Sequence, residues 1–73
     1  MESLEANLEI LENILVQEFR ASQQLHDLSR RERIALVRRD AALLQELIDA
    51  RQQVLERLRD IYARRQQALE ALV

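Results

Sequence analysis

The 73-residue chain has no glycine, no proline and no cysteine. Without glycine it cannot build a Gly-rich loop around a phosphate. Without proline nothing in it is obliged to break a helix. Without cysteine there is neither a disulfide nor a thiolate metal ligand, and His26, the single histidine, has no second histidine to share a metal with. Aromatic residues are reduced to Phe19 and Tyr62, too few to interleave with basic residues as a base-stacking surface. No apolar run approaches the ~18 residues of a membrane span. The opening Met1-Glu2-Ser3 lacks the basic, then apolar, profile of a secretory signal. Together these absences predict a cytoplasmic protein with no cofactor, no membrane insertion and no nucleic-acid partner.

What remains is Leu, Ala, Glu, Gln and Arg, strong helix formers all, so the expected class is all-α. A chain this short, with nothing to staple it, sits near the lower limit for a self-sufficient core, and a homo-oligomer, a dimer first, is expected. The net charge of −2 conceals a segregation along the chain. Residues 2–18 carry five Glu and no Arg, while residues 30–39 carry five Arg and one Glu. All eleven basic residues are Arg, which suits planar pairing with carboxylates.

Apolar residues recur at heptad spacing in two blocks. In the first, three neighbouring lines run through Leu4, Leu11 and Leu25; through Leu8, Leu15 and Leu36; and through Ile14, Ala21, Leu28 and Ala35. In the second they run through Leu44, Leu58 and Leu72; through Leu47, Val54, Ile61 and Ala68; and through Ile48, Leu55, Tyr62 and Leu69. Extending the first set past Arg38, Arg39 and Asp40 misses the second by one residue, roughly 100° around a helix. Asp40 is a good N-cap for Ala41-Ala42-Leu43-Leu44, and Arg38 and Arg39 suit the end of the preceding helix. A rival break at Ser29-Arg30-Arg31-Glu32, which has capping-box spacing, ranks second because the apolar phase continues through it. The prediction is therefore one antiparallel hairpin, coiled-coil-like: a helix over about 2–37, a turn over about 38–40 and a helix over about 41–72, each roughly 50 Å long.

A turn there makes facing residue numbers add to about 77, which sets Glu12 opposite Arg65 and Glu18 opposite Arg59 and brings the acidic start beside Arg57, Arg59, Arg64 and Arg65. Each apolar stripe also carries charge on its middle line, Glu18 and Glu32 in one half and Arg51 and Arg65 in the other. Both charged pairs are spaced by two heptads, so one offset would satisfy Glu32 with Arg51 and Glu18 with Arg65 together. That offset lies about 9 Å along the axis from the register of the turn. The pairs could form between subunits, could select a register, or could lie at the edge of the stripe and reach into water.

A two-helix seam uses only part of so wide a stripe, and leaving the remainder wet is costly at ~25 cal/mol per Å². Two hairpins closing into a four-helix bundle are expected, with Ile14, Ala21, Leu28, Ile48, Leu55, Tyr62 and Leu69 forming the face for self-association or for a partner helix. Nothing points to catalysis. His26 reads as a surface histidine, and Ser22 and Ser29, on an apolar line, read as small packing residues rather than nucleophiles. The basic cluster Arg30, Arg31, Arg33, Arg38 and Arg39 reads as a solvated hairpin tip.

The run Leu25-x-x-Leu28-x-x-x-Glu32-Arg33-x-Ala35-Leu36-Val37-x-x-Asp40-x-x-x-Leu44-x-x-Leu47 resembles flagellar export chaperones of the FlgN type. The likeness extends over residues 8–69 through Val54-Leu55-x-x-Leu58 and Arg64-Arg65. It implies a helical cytoplasmic chaperone that holds helical C-terminal segments of hook-filament junction proteins before export. Members of that family are nearly twice as long, and their C-terminal portion has no counterpart after Val73, so no binding residues carry over. The expected function is non-enzymatic protein binding of this kind, with a structural coiled-coil oligomerisation or spacer module without a client as the alternative.

Overall fold

The computed structural model describes residues 2–73 and is an antiparallel pair of helices, α1 over Glu2–Val37 and α2 over Ala41–Leu72. The pair is 57 Å long and 14 by 13 Å across, measured between Cα atoms. The helix runs unbroken through Ser29 to Glu32, so the rival capping-box reading does not hold. The chain turns beside Asp40.

The turn is closed entirely by local hydrogen bonds. At the end of α1 the Asp40 amide donates to the Ala35 carbonyl at 2.9 Å and the Arg39 amide to that of Leu36 at 3.1 Å, the paired bonds of a Schellman motif. That motif needs one left-handed residue. Arg39 takes it at φ 55°, in a position where glycine would be free of the Cβ penalty but the sequence has none to offer. Asp40 then caps α2: its Oδ1 accepts from the Leu43 amide at 3.0 Å, satisfying one of the donors left open at a helix start.

The core is a single narrow seam. Ile14, Ala21 and Ala35 from α1 and Leu47, Val54, Ile61 and Ala68 from α2 are buried, and Leu11, Leu25, Leu28 and Leu58 pack against it half-buried. With Glu18 and Glu32 on α1 and Arg51 and Arg65 on α2 counted among them, these positions alternate three and four residues apart, the spacing that keeps two lines on one side of a helix and makes a coiled-coil seam. Three of the seven buried residues are alanine, which lets the two backbones approach closely while Ile14, Leu47, Val54 and Ile61 fill the space between them. Ile14 and Ala21, expected on the outward face, instead form the inside of the hairpin. The stripe on α1 is three lines wide, and the seam takes the Ile14 line, with its small residues, together with the charged middle line.

Candidate functional site

Two features of the hairpin stand apart from plain helix packing: ion pairs inside the seam, and an apolar edge outside it.

Glu18, Glu32, Arg51 and Arg65 occupy seam positions, and the structure brings them together within one chain. Arg65 Nη1 lies 3.2 Å from Glu18 Oε1, and Arg51 Nε lies 3.3 Å from Glu32 Oε1. The pairings Glu12 with Arg65 and Glu18 with Arg59 do not occur. The reason is the direction in which helical side chains lean. Every side chain tilts toward its own helix N-terminus, which on α1 points away from the turn and on α2 points toward it. A residue of α1 therefore meets one on α2 that lies about a turn farther from the hairpin tip than its backbone neighbour. Arg64 with Gln17 at 2.8 Å and Arg57 with Gln24 at 3.2 Å are displaced in the same direction, by less.

Neither ion pair is fully satisfied. Glu18 Oε2 and Arg65 Nε are buried without a hydrogen-bond partner, and Glu32 Oε1 is close to Arg51 but too poorly aligned to accept a hydrogen bond from it. The Arg65 guanidinium also lies 5.1 Å above the Tyr62 ring, within cation–π range. Glu32 is well shielded, its side chain 14% exposed, whereas Arg51 is 43% exposed, so the second pair opens to solvent on its basic side. Such pairs add little net stability, but they disfavour any register that separates them.

The two edges of the seam differ in character. One carries Gln17 and Gln24 against Arg64 and Arg57 and forms shallow open grooves that also take in Asp27, Ala21 and Ile61. Because those residues flank the seam on one side of each helix, the residues that flank it on the other side share the opposite edge. These are Leu8, Leu15, Ser22, Ser29 and Leu36 on α1 and Ile48, Leu55, Tyr62 and Leu69 on α2. Apart from Ser29, which is half-buried, all are exposed. Phe19, one step farther round α1, is 64% exposed and extends the same surface.

Of the residues expected on a partner face, Ile48, Leu55, Tyr62 and Leu69 lie on this exposed edge, Leu28 is half-buried in the seam, and Ile14 and Ala21 are inside. Leu8, Leu15 and Phe19 belong to the edge and were not among the residues expected on the partner face. Their signal was present in the sequence, since Leu8 and Leu15 continue to Leu36 on one line, but periodicity does not say which outer line stays uncovered. Arg30, Arg33, Arg38 and Arg39 are exposed around the tip, and Arg31 is held by Asp27 one turn back at 3.1 Å. His26 is exposed on α1. No helix is long and apolar enough to cross a membrane. Among the described residues, no group of His, Asp and Glu side chains is gathered closely enough to hold a metal ion. No protein-family model, curated protein or solved structure matches the chain.

Proposed function

We propose that this hairpin is a non-enzymatic binding protein that works by packing its exposed apolar edge against amphipathic helices. The observation that carries the reading is the uninterrupted row Ile48, Leu55, Tyr62 and Leu69 beside Leu8 and Leu15, all exposed on one edge of a hairpin whose other edge is occupied at its middle by the Gln17–Arg64 and Gln24–Arg57 hydrogen bonds. A row of large apolar side chains at heptad spacing along a two-helix ridge matches the anchors that a helix presents to a groove. The polar edge, by contrast, offers only open grooves, not an enclosed site where reacting groups converge.

The partner class follows from the resemblance of residues 8–69 to flagellar export chaperones: helical C-terminal segments of hook-filament junction proteins, held in the cytoplasm before export. Titrating the chain with such peptides, followed by fluorescence anisotropy, tests it. Saturable binding that is lost in Leu55→Glu, with the helical circular-dichroism signal retained, is the expected result. Absence of binding to any such helix overturns the chaperone reading. The edge also suits a structural module with no client, in which it would stay closed permanently within an oligomer.

A further inference from the structure

We infer that the occupant of the apolar edge is a single amphipathic helix with segregated charge, acidic where it passes the turn half of the hairpin and basic where it passes the open half, and with its bulkiest apolar side chains near its middle. This rests on the reading of the edge as a helix-docking surface and names the chemistry of the helix it takes.

Charge along the edge is graded. On α1 the outer rim, three residues before each edge position, reads Glu5, Glu12, Phe19, His26 and Arg33 from the open end toward the turn, all exposed. Its sign reverses from one half to the other. The turn half gains a second cation from Arg51, the more exposed member of its pair with Glu32. The α2 rim of Gln45, Gln52, Arg59 and Gln66 adds only Arg59, near the middle. Asp49 lies one step farther round α2, and its carboxylate accepts a hydrogen bond from Gln45 at 3.0 Å. Among the described residues, none of the ion pairs and side-chain hydrogen bonds takes up Glu5, Glu12 or Arg33. A helix of opposite segregation complements these charges in one orientation and meets like with like in the other.

The observed ion pairs fix the layers of the edge, because edge positions lie three residues before or four after each charged seam position. Glu18 with Arg65 is flanked by Leu15 and Leu69 on its open side and by Ser22 and Tyr62 on its turn side. Glu32 with Arg51 is flanked by Ser29 and Leu55 on its open side and by Leu36 and Ile48 on its turn side. Leu8 lies one heptad beyond Leu15. The α2 row is thus large throughout, whereas the α1 row is lowered at Ser22 and Ser29 between Leu15 and Leu36, about 32 Å apart along the axis. A shallow groove that takes in Phe19, Ser22 and His26 opens over the lowered stretch. A docked helix fills it with large side chains one heptad apart, beside Tyr62 and Leu55, and carries smaller ones over the crowded layers at each end. Close packing penalises the reverse distribution at both places.

Three helical peptides of four heptads, about 42 Å long, test this against the whole chain by fluorescence anisotropy. The first has Glu flanking its apolar stripe in one half, Lys in the other, and Leu at two central anchors. The second has the same charges interspersed, and the third has the first's charges with Ala at both anchors. The first should bind about threefold to tenfold more tightly than either, and should lose that advantage over the second in Glu5→Arg with Glu12→Arg. A spin label at Arg38→Cys, in a chain with no cysteine of its own, should lie near the Glu-bearing end of the bound peptide, whether Glu occupies its first half or its second.

Equal binding of the first and second peptides, or a label that stays near one terminus whichever charge it carries, overturns the charge order. Equal or tighter binding of the third overturns the placement of bulk. Either result leaves helix docking in place, whereas binding by none of the peptides overturns both. A dimer of twice the 8.6 kDa mass that is lost in Leu55→Glu, and that the first peptide does not compete away, assigns the edge to a second copy and overturns the proposal.

Discussion

Glu18 and Arg65 meet across the seam at 3.2 Å, although Arg65 lies five residues farther from the turn than Glu18 when each is counted from its own helix end. The opposed lean of side chains on two antiparallel helices closes that difference. The same displacement recurs for Glu32 with Arg51, so a single backbone register satisfies both pairs, and slipping one helix by a heptad would leave charges stranded among Leu25, Leu58 and their neighbours.

Removing one member of a pair should therefore cost more than removing both. Glu18→Leu leaves the half-buried Arg65 guanidinium without its carboxylate and should destabilise the chain by about 1–3 kcal/mol. Glu18→Leu combined with Arg65→Leu should cost less than the sum of the single changes and approach neutrality. Urea melts of the four species, read as a double-mutant cycle, measure the coupling. Additive effects would show that the pair does not act as a unit.

The turn supplies two opposite tests. Asp40→Ala removes the acceptor for the Leu43 amide and should lower stability by about 1 kcal/mol. Thermal melts at fixed protein concentration are the readout, and an unchanged midpoint would mean that the cap contributes nothing.

Arg39→Gly should move stability the other way. The left-handed φ of 55° at Arg39 carries a steric cost that glycine does not, and the gain should be about 1 kcal/mol, reduced by the greater freedom of glycine in the unfolded chain. The same melts detect it, and a loss of stability would mean that the Arg39 side chain makes a compensating interaction.

The seam should resist both enlargement and truncation. Ala21→Leu forces a large side chain between backbones held close together and should cost about 1–3 kcal/mol. Ile61→Ala, at the most completely buried large residue, should cost about 2–5 kcal/mol. By contrast Leu55→Glu, on the exposed edge, should leave the hairpin's helical circular-dichroism signal intact and act only on association.

The hairpin and its turn were legible in the sequence because their causes are local. The one-residue phase slip at Arg38 to Asp40, the capping aspartate and the near-equal lengths of the two apolar blocks each act within a few residues of the break. The pairing of Glu18 with Arg65 and Glu32 with Arg51 was legible as arithmetic, but its compatibility with the turn was not, because residue numbers carry no information about side-chain lean. The outward face was only half legible. Ile48, Leu55, Tyr62 and Leu69 were placed on it and lie exposed. Ile14 and Ala21 were placed on it too and lie inside.

The sequence by itself determined that the chain is helical, where it reverses, and which residues are apolar on each helix, since propensity, capping and heptad spacing are properties of the helix alone. Which two of three apolar lines close the seam and which is left facing outward was decided only in the tertiary structure. That choice depends on how closely two backbones can approach across Ala21 and Ala35, and it is a property of the pair of surfaces, carried by neither helix alone.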